Sequence, residues 1–194
     1  MSTIKTEVKA MLKKALLLGI VTIFLAGTIA AQTEKPLPAG KVMNNAYAAS
    51  KETGKNVFLI FHATWCSWCK RLEKAMDSQE LKPIFEKYFV ITYLDVLERG
   101  EKIAQYENPD GKALMDKLGG ATAGIPFYAF INAEGKTLAT SNVMPKDSNI
   151  GYPGSLEEIN AFMKILKTGA PNINDDDYNT LFTYLKKNAP KPIE

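Results

Sequence analysis

Residues Val57–Phe61, within "NVFLIF", form an uninterrupted apolar run. A strand with one face in water would alternate polar and apolar side chains. A short continuous run rich in branched and aromatic residues suits a central strand covered on both faces. Such a strand needs layers on either side, and its neighbours in sequence supply them. Upstream, "KVMNNAYAASKETGK" sets Val42, Met43, Ala46, Tyr47 and Ala49 at helical spacing and stops at Gly54. Downstream, after four residues, Cys66 opens a helical pattern with Cys69, Leu72 and Met76 on one stripe and Ala75 beside it. Pro83 fits the first turn of a short helix ending near Tyr88, and "FVITYLDV", Phe89–Val96, reads as a second strand.

The rest of the chain continues the pattern. Glu98 to Asp110 is polar and irregular, and "KALMDKLGG" reads as a short glycine-capped helix. "IPFYAFI" and "TLAT" read as strands joined by "NAEG", a hairpin. A loop, Met144–Gly154, leads to Ser155 and Glu158, an S-x-x-E capping box ahead of "INAFMKILK". A last helix is expected from about Asp175 to Lys187, with Asp175–Asp177 at the positive end of its dipole. The order is α-β-α-β-α-β-β-α plus a tail helix, an α/β sandwich around a mixed sheet.

At 194 residues the chain suits one domain with a sizeable core. Its first 31 residues stand apart. Lys5, Lys9, Lys13 and Lys14 precede an uncharged run from Ala15 to Thr33, with small residues at Thr28, Ala30 and Ala31. Residues 1–31 are read as a secretory signal peptide cleaved after Ala30 or Ala31, and a start at Met11 would give an even more conventional signal, with Lys13 and Lys14 as its charged region. The alternative is a retained membrane anchor, although the strongly apolar part is shorter than the roughly 20 residues a spanning helix needs. Residues 32–40 then form a polar linker bearing Pro36 and Pro38, and 41–194 the folded domain with its C-terminal helical extension. Four of the 24 basic and one of the 21 acidic residues lie in the leader, so the remainder carries 20 of each. A neutral domain lacks the electrostatic footprint of a nucleic-acid binder. Membrane contact is expected only through an uncleaved leader, and the location is periplasmic or otherwise extracytoplasmic.

The chain has two cysteines, both in "HATWCSWCK", His62 to Lys70. In an oxidising compartment, structural disulfides usually tie distant segments together. A bridge across a CxxC closes a very small ring and removes little entropy from the unfolded chain. Reactivity therefore explains the pair better than stabilisation. A strand ending just before a helix sets Cys66 at the helix N-terminus, where free N–H groups favour a thiolate. Cys69 lies one turn on, within disulfide reach. Position makes Cys66 the nucleophile and Cys69 the resolving thiol.

"VFLIFHATWCSWCK", followed by "GIPFYAFINAEGK", resembles the thioredoxin superfamily over roughly Val42 to Lys167, and its double-tryptophan form is similar to exported thioredoxin-like proteins. The resemblance implies a thioredoxin-like fold, a mixed central sheet flanked by helices, with an extra C-terminal helix. It also implies a cis bond before Pro126, with the Ile125 backbone pairing with substrate. Trp65 is expected to be a surface platform for partners. The chain departs from the family at Ile60, which stands six residues before Cys66 where a buried acid usually helps move the resolving cysteine's proton. His62 or water is the expected substitute. Ser67 and Trp68 supply no cation between the cysteines, which favours a reductase or isomerase over a strong oxidant. The expected function is an extracytoplasmic thiol–disulfide oxidoreductase acting on cysteine-containing proteins, recharged by an upstream redox partner and needing no cofactor.

The competing reading is a binding module. CxxC is half of a zinc site, and His62 could add a third ligand for zinc or copper. A redox-inert chaperone-like module on the same fold is the other form of that alternative. Tyr152 and Pro153 read as loop packing, Asp175–Asp177 as a helix start.

Overall fold

The computed structural model describes residues 35–190. The expected leader (1–31), its cleavage point and linker residues 32–34 lie outside the described residues. Helix α1 (Ala39–Thr53) precedes strand β1 (Asn56–His62), α2 (Ser67–Met76), α3 (Lys82–Tyr88) and β2 (Phe89–Asp95). Two short helices follow, α4 (Lys102–Tyr106) and α5 (Gly111–Met115), then β3 (Phe127–Ile131) and β4 (Thr137–Thr140). A small ribbon of β5 (Asn142–Met144) and β6 (Ser148–Asn149) leads to α6 (Leu156–Gly169) and α7 (Asp175–Lys187). The sheet order is β2-β1-β3-β4, with β1 parallel to β2 and antiparallel to β3. This is a thioredoxin-like fold, as its sequence implied. Among the described residues, no helix is long and apolar enough to cross a membrane.

Strand β1 is the central strand that its apolar run demanded. Val57 to Phe61 are each 0 % exposed. Phe58 and Ile60 face a core shared with Leu72 of α2, Phe85 of α3 and Phe162 of α6. Val57, Leu59 and Phe61 face the opposite core, with Met43 of α1, Leu94 and Met115. Removing side chains of this size from water contributes roughly 1.5–3 kcal/mol each. Phe58 is the hub of the first core, stacked 4.6 Å from Phe130 and edge-on to Tyr128 at 5.6 Å. Gly169 lets α6 end against this cluster, because a Cβ there would lie 2.4 Å from Phe130 Cδ1. Its carbonyl accepts a hydrogen bond from Asn56 Nδ2 at 2.8 Å.

Local signals explain most ends of elements. Gly54 closes α1 in the left-handed region at φ 70°. Ser155 and Glu158 form the full capping box of α6. Asn174 caps α7, and Asp177 in its first turn accepts hydrogen bonds from Lys87 Nζ and Tyr88 Oη, both at 2.7 Å, tying the tail helix to α3.

Three stretches differ from their sequence reading. Glu98–Asp110 is not irregular throughout, since it contains α4. Met144–Gly154 is not a plain loop, since its start pairs in the β5–β6 ribbon. "KALMDKLGG" is not one helix: α5 gives way at Asp116–Gly120 to a wider π-type turn with Gly119 at φ 94°.

Candidate active site

Cys66 is the N-cap of α2, with extended backbone, and its sulfur accepts the Cys69 N–H at 3.1 Å. The two cysteines are joined as a disulfide, their Cα atoms 5.3 Å apart. Both are buried, 4 % and 1 % exposed, and pack with Ala63 and Ile125. The Ile125–Pro126 peptide bond is cis, and the Ile125 carbonyl oxygen lies 3.5 Å from Cys66 Sγ. The fold thus brings Cys66, Cys69 and Ile125 together, with Pro126 following Ile125 into the adjoining groove. On reduction, the Cys69 N–H and the helix end favour the charged form of the Cys66 thiol.

Asn149 holds the Pro126 loop in place. Its side-chain amide donates to the carbonyls of Gly124 at 2.8 Å and Pro126 at 2.9 Å. The sequence reading missed it, because a single asparagine inside an apparent loop carries no motif.

The residues before Cys66 are held by another residue that the reading missed. Glu98 is 5 % exposed, and its carboxylate accepts the Thr64 N–H at 2.5 Å and the Thr64 hydroxyl at 2.9 Å. Lys102 Nζ donates to the same hydroxyl at 3.2 Å, while the Glu98 N–H donates to Glu107 Oε2 at 2.8 Å. Beside it, Leu97 adopts φ 58°, and its carbonyl accepts the Trp65 indole N–H at 2.7 Å. The Arg99 guanidinium lies 3.8 Å from the centre of the Trp65 ring, within cation–π range. Trp65, 40 % exposed, is therefore a ring fixed at its edge and covered by a cation.

Trp68 has a different setting. It is 50 % exposed and stacks on Tyr152 at 5.9 Å. Tyr152 is not loop packing alone, because with Trp68, Ile125, Pro126 and Ile150 it lines a groove of about 380 Å³ beside the CxxC.

His62 ends β1 on the side facing α2. Its Nδ1 lies 2.7 Å from Glu73 Oε1, and its Nε2 3.5 Å from Asp95 Oδ1 without a formed hydrogen bond. Burial pulls its pKa down, but the Asp95 and Glu73 carboxylates outweigh this and hold it above the ordinary histidine value. Tyr93, 5.1 Å from the imidazole, is pushed up to about 12 by burial, with help from Glu73 and Asp77. The hydrogen bond of His62 reaches Glu73, one turn beyond Cys69, rather than either sulfur. Ile60 is fully buried where the resemblance expects an acid. Among the described residues, no group of three His, Cys, Asp or Glu side chains is placed to hold a metal.

A family model described as thioredoxin-like matches residues 41–133. Among solved structures, a disulphide isomerase from Xylella fastidiosa Temecula1 is 23 % identical, with 80 % of this chain and 92 % of that one covered at a TM-score of 0.46. A DsbH oxidoreductase structure is also 23 % identical, with 67 % of this chain and 82 % of that one covered at a TM-score of 0.44. The exposed lipoprotein thioredoxin Etrx1 of Streptococcus pneumoniae strain TIGR4 is 26 % identical, covering 61 % and 87 % at 0.38. No curated protein matches the sequence significantly.

Proposed function

We propose that this chain, whose residues 41–133 match the thioredoxin-like family model, is a thiol–disulfide oxidoreductase that exchanges disulfides with protein clients outside the cytoplasm, as a reductase or isomerase. The observation that carries this reading is the Cys69 N–H aimed at Cys66 Sγ from the first turn of α2. It stabilises negative charge on the one sulfur that also faces the Ile125 carbonyl. The lysines and apolar run of residues 1–31 support an exported location.

In the reducing direction, the Cys66 thiolate attacks one sulfur of a client disulfide, and the other client sulfur leaves as a thiolate and takes up a proton. A client strand pairing with the backbone at Ile125 would set its sulfur in line with Cys66. Cys69, deprotonated, then attacks Cys66 Sγ and expels the client's second thiolate. Two electrons pass to the client, and the Cys66–Cys69 disulfide remains for an upstream dithiol to reduce. An isomerase cycle differs in one step, in which a different client thiolate, not the one first freed, attacks the client sulfur of the mixed disulfide, forms a new client disulfide and expels the Cys66 thiolate before Cys69 attacks. His62 is the proposed proton relay, acting through Glu73 and water.

The test is trapping. Cys69→Ser should accumulate mixed disulfides with clients, visible as adducts that reductant collapses, whereas Cys66→Ser should accumulate none. Equal trapping by both would overturn the roles. A reduction potential near roughly −270 mV would support the reductive direction, and one near about −120 mV would reverse it.

A further inference from the structure

Resting on that reading, we propose that the groove along α2 receives an acidic stretch of the client polypeptide, within about four residues of its reactive cysteine. Ser67, Lys70, Arg71 and Lys74 stand at i, i+3, i+4 and i+7, one face of the helix, opposite the buried Leu72 and Met76. The three cations line a cavity of about 550 Å³ whose other walls include Trp68, Tyr152 and Tyr184. Arg71 is already oriented: Nη2 donates to the Asn188 carbonyl at 3.0 Å, and its guanidinium lies 5.1 Å from the Tyr152 ring centre.

This clustering is unfavourable for the helix itself. Lys70 and Arg71 lie in or beside the first turn, the positive end of the dipole, where acids are preferred. Lys70 and Lys74 are a like-charge i,i+4 pair. The acids that could offset them are engaged elsewhere: Glu73 with His62, Asp77 with Lys82 at 3.6 Å, and Glu158 with the N–H groups of Gly154 and Ser155. Among the described residues, none of the three cations has a carboxylate within 4.0 Å. A face carrying three unneutralised cations, beside a reactive disulfide and walled by aromatic rings, is complementary to an anionic chain. From Cys66 to Lys74 the helix rises about 12 Å, the length of roughly three to four residues of extended chain.

The experiment uses the full chain, reduced, and peptides whose single cysteine is joined to nitrothiobenzoate. Cys66 attacks the peptide sulfur, nitrothiobenzoate leaves as the coloured thiolate, and Cys69 releases the peptide thiol as the pair becomes oxidised. One peptide carries three acids at positions two to four from its cysteine, a second the same acids nine to eleven residues away, and a third amides in place of the near acids. At low salt the near-acid peptide should react about three- to tenfold faster than the other two, the range for a few exposed ion pairs. Lys70→Gln/Arg71→Gln/Lys74→Gln should erase that difference, and Lys70→Glu/Lys74→Glu should shift preference to a near-lysine peptide. Equal rates, the same gain from distant acids, or a preference surviving in the triple variant would each overturn the proposal while leaving thiol exchange standing. If no peptide reacts, the oxidoreductase reading itself falls.

Discussion

The two tryptophans of "WCSWC" flank the same disulfide in opposite settings. Trp65 stands over a strap of Leu97, Glu98 and Arg99, with its indole N–H satisfied, its face covered by a guanidinium and its backbone neighbour Thr64 locked by a buried carboxylate. Trp68 leans on Tyr152 above an open groove whose cations have no acidic partner among the described residues. One side is closed by its own polar contacts, and the other presents unmet ones. The difference separates positioning from recognition: Glu98 fixes where the peptide before Cys66 lies, while the α2 groove is left for something that arrives.

The comparison breaks first at Glu98. Glu98→Ala leaves the half-buried Thr64 N–H without its charged acceptor and should cost about 1–3 kcal/mol, read as a lower denaturant midpoint. In a Trp68→Phe background, Trp65 emission should shift at the same time, because the Leu97 strap loosens. An unchanged midpoint would mean that Thr64 finds water instead and that the strap is ornamental. Trp68→Ala should do the reverse, moving stability by no more than about 0.5 kcal/mol as an exposed site does. It should weaken capture of aromatic- or acid-bearing clients by about 0.5–1.5 kcal/mol, the worth of an aromatic contact. A large loss of stability there would make the two sides alike.

The smallest effect concerns what both sides share, the His62 cluster beneath α2. Its pKa is raised in the fold, so its contribution is fully present below the unfolded value of roughly 6.5 and is lost as pH rises through the folded one. Stability should therefore decline above about pH 6.5, and His62→Gln should flatten that part of the profile. A profile identical in the variant would show that Glu73 and Asp95 do not favour the imidazolium.

How much of this was legible in sequence follows from how local each cause is. The apolar run of β1, the Ser155–Glu158 box and the helix start at Cys66 are set by neighbours within a few residues, and all appear as read. Glu98 was invisible because its partner Thr64 is 34 residues away and a glutamate in a polar stretch reads as solvated. Its one signal, an acid just past the end of a strand beside the CxxC strand, is weak. Asn149 and Tyr152 were missed for the same reason: a three-residue strand paired with a two-residue one has no periodicity to detect, so tertiary contacts decide it. The cis bond before Pro126 came from the family resemblance and not from propensity.

The burial of Cys66 has a consequence for what the protein can sense. Cys66 as a residue is only 4 % exposed, with Ile125 packed against it, so a disulfide set flush in another protein's surface would have poor access to it. A cystine on a loose or unravelled loop can enter. On the proposed function, the depth of Cys66 would act as a filter on the folding state of the client, disfavouring bonds in finished proteins and favouring those in chains that have lost, or not yet gained, their shape.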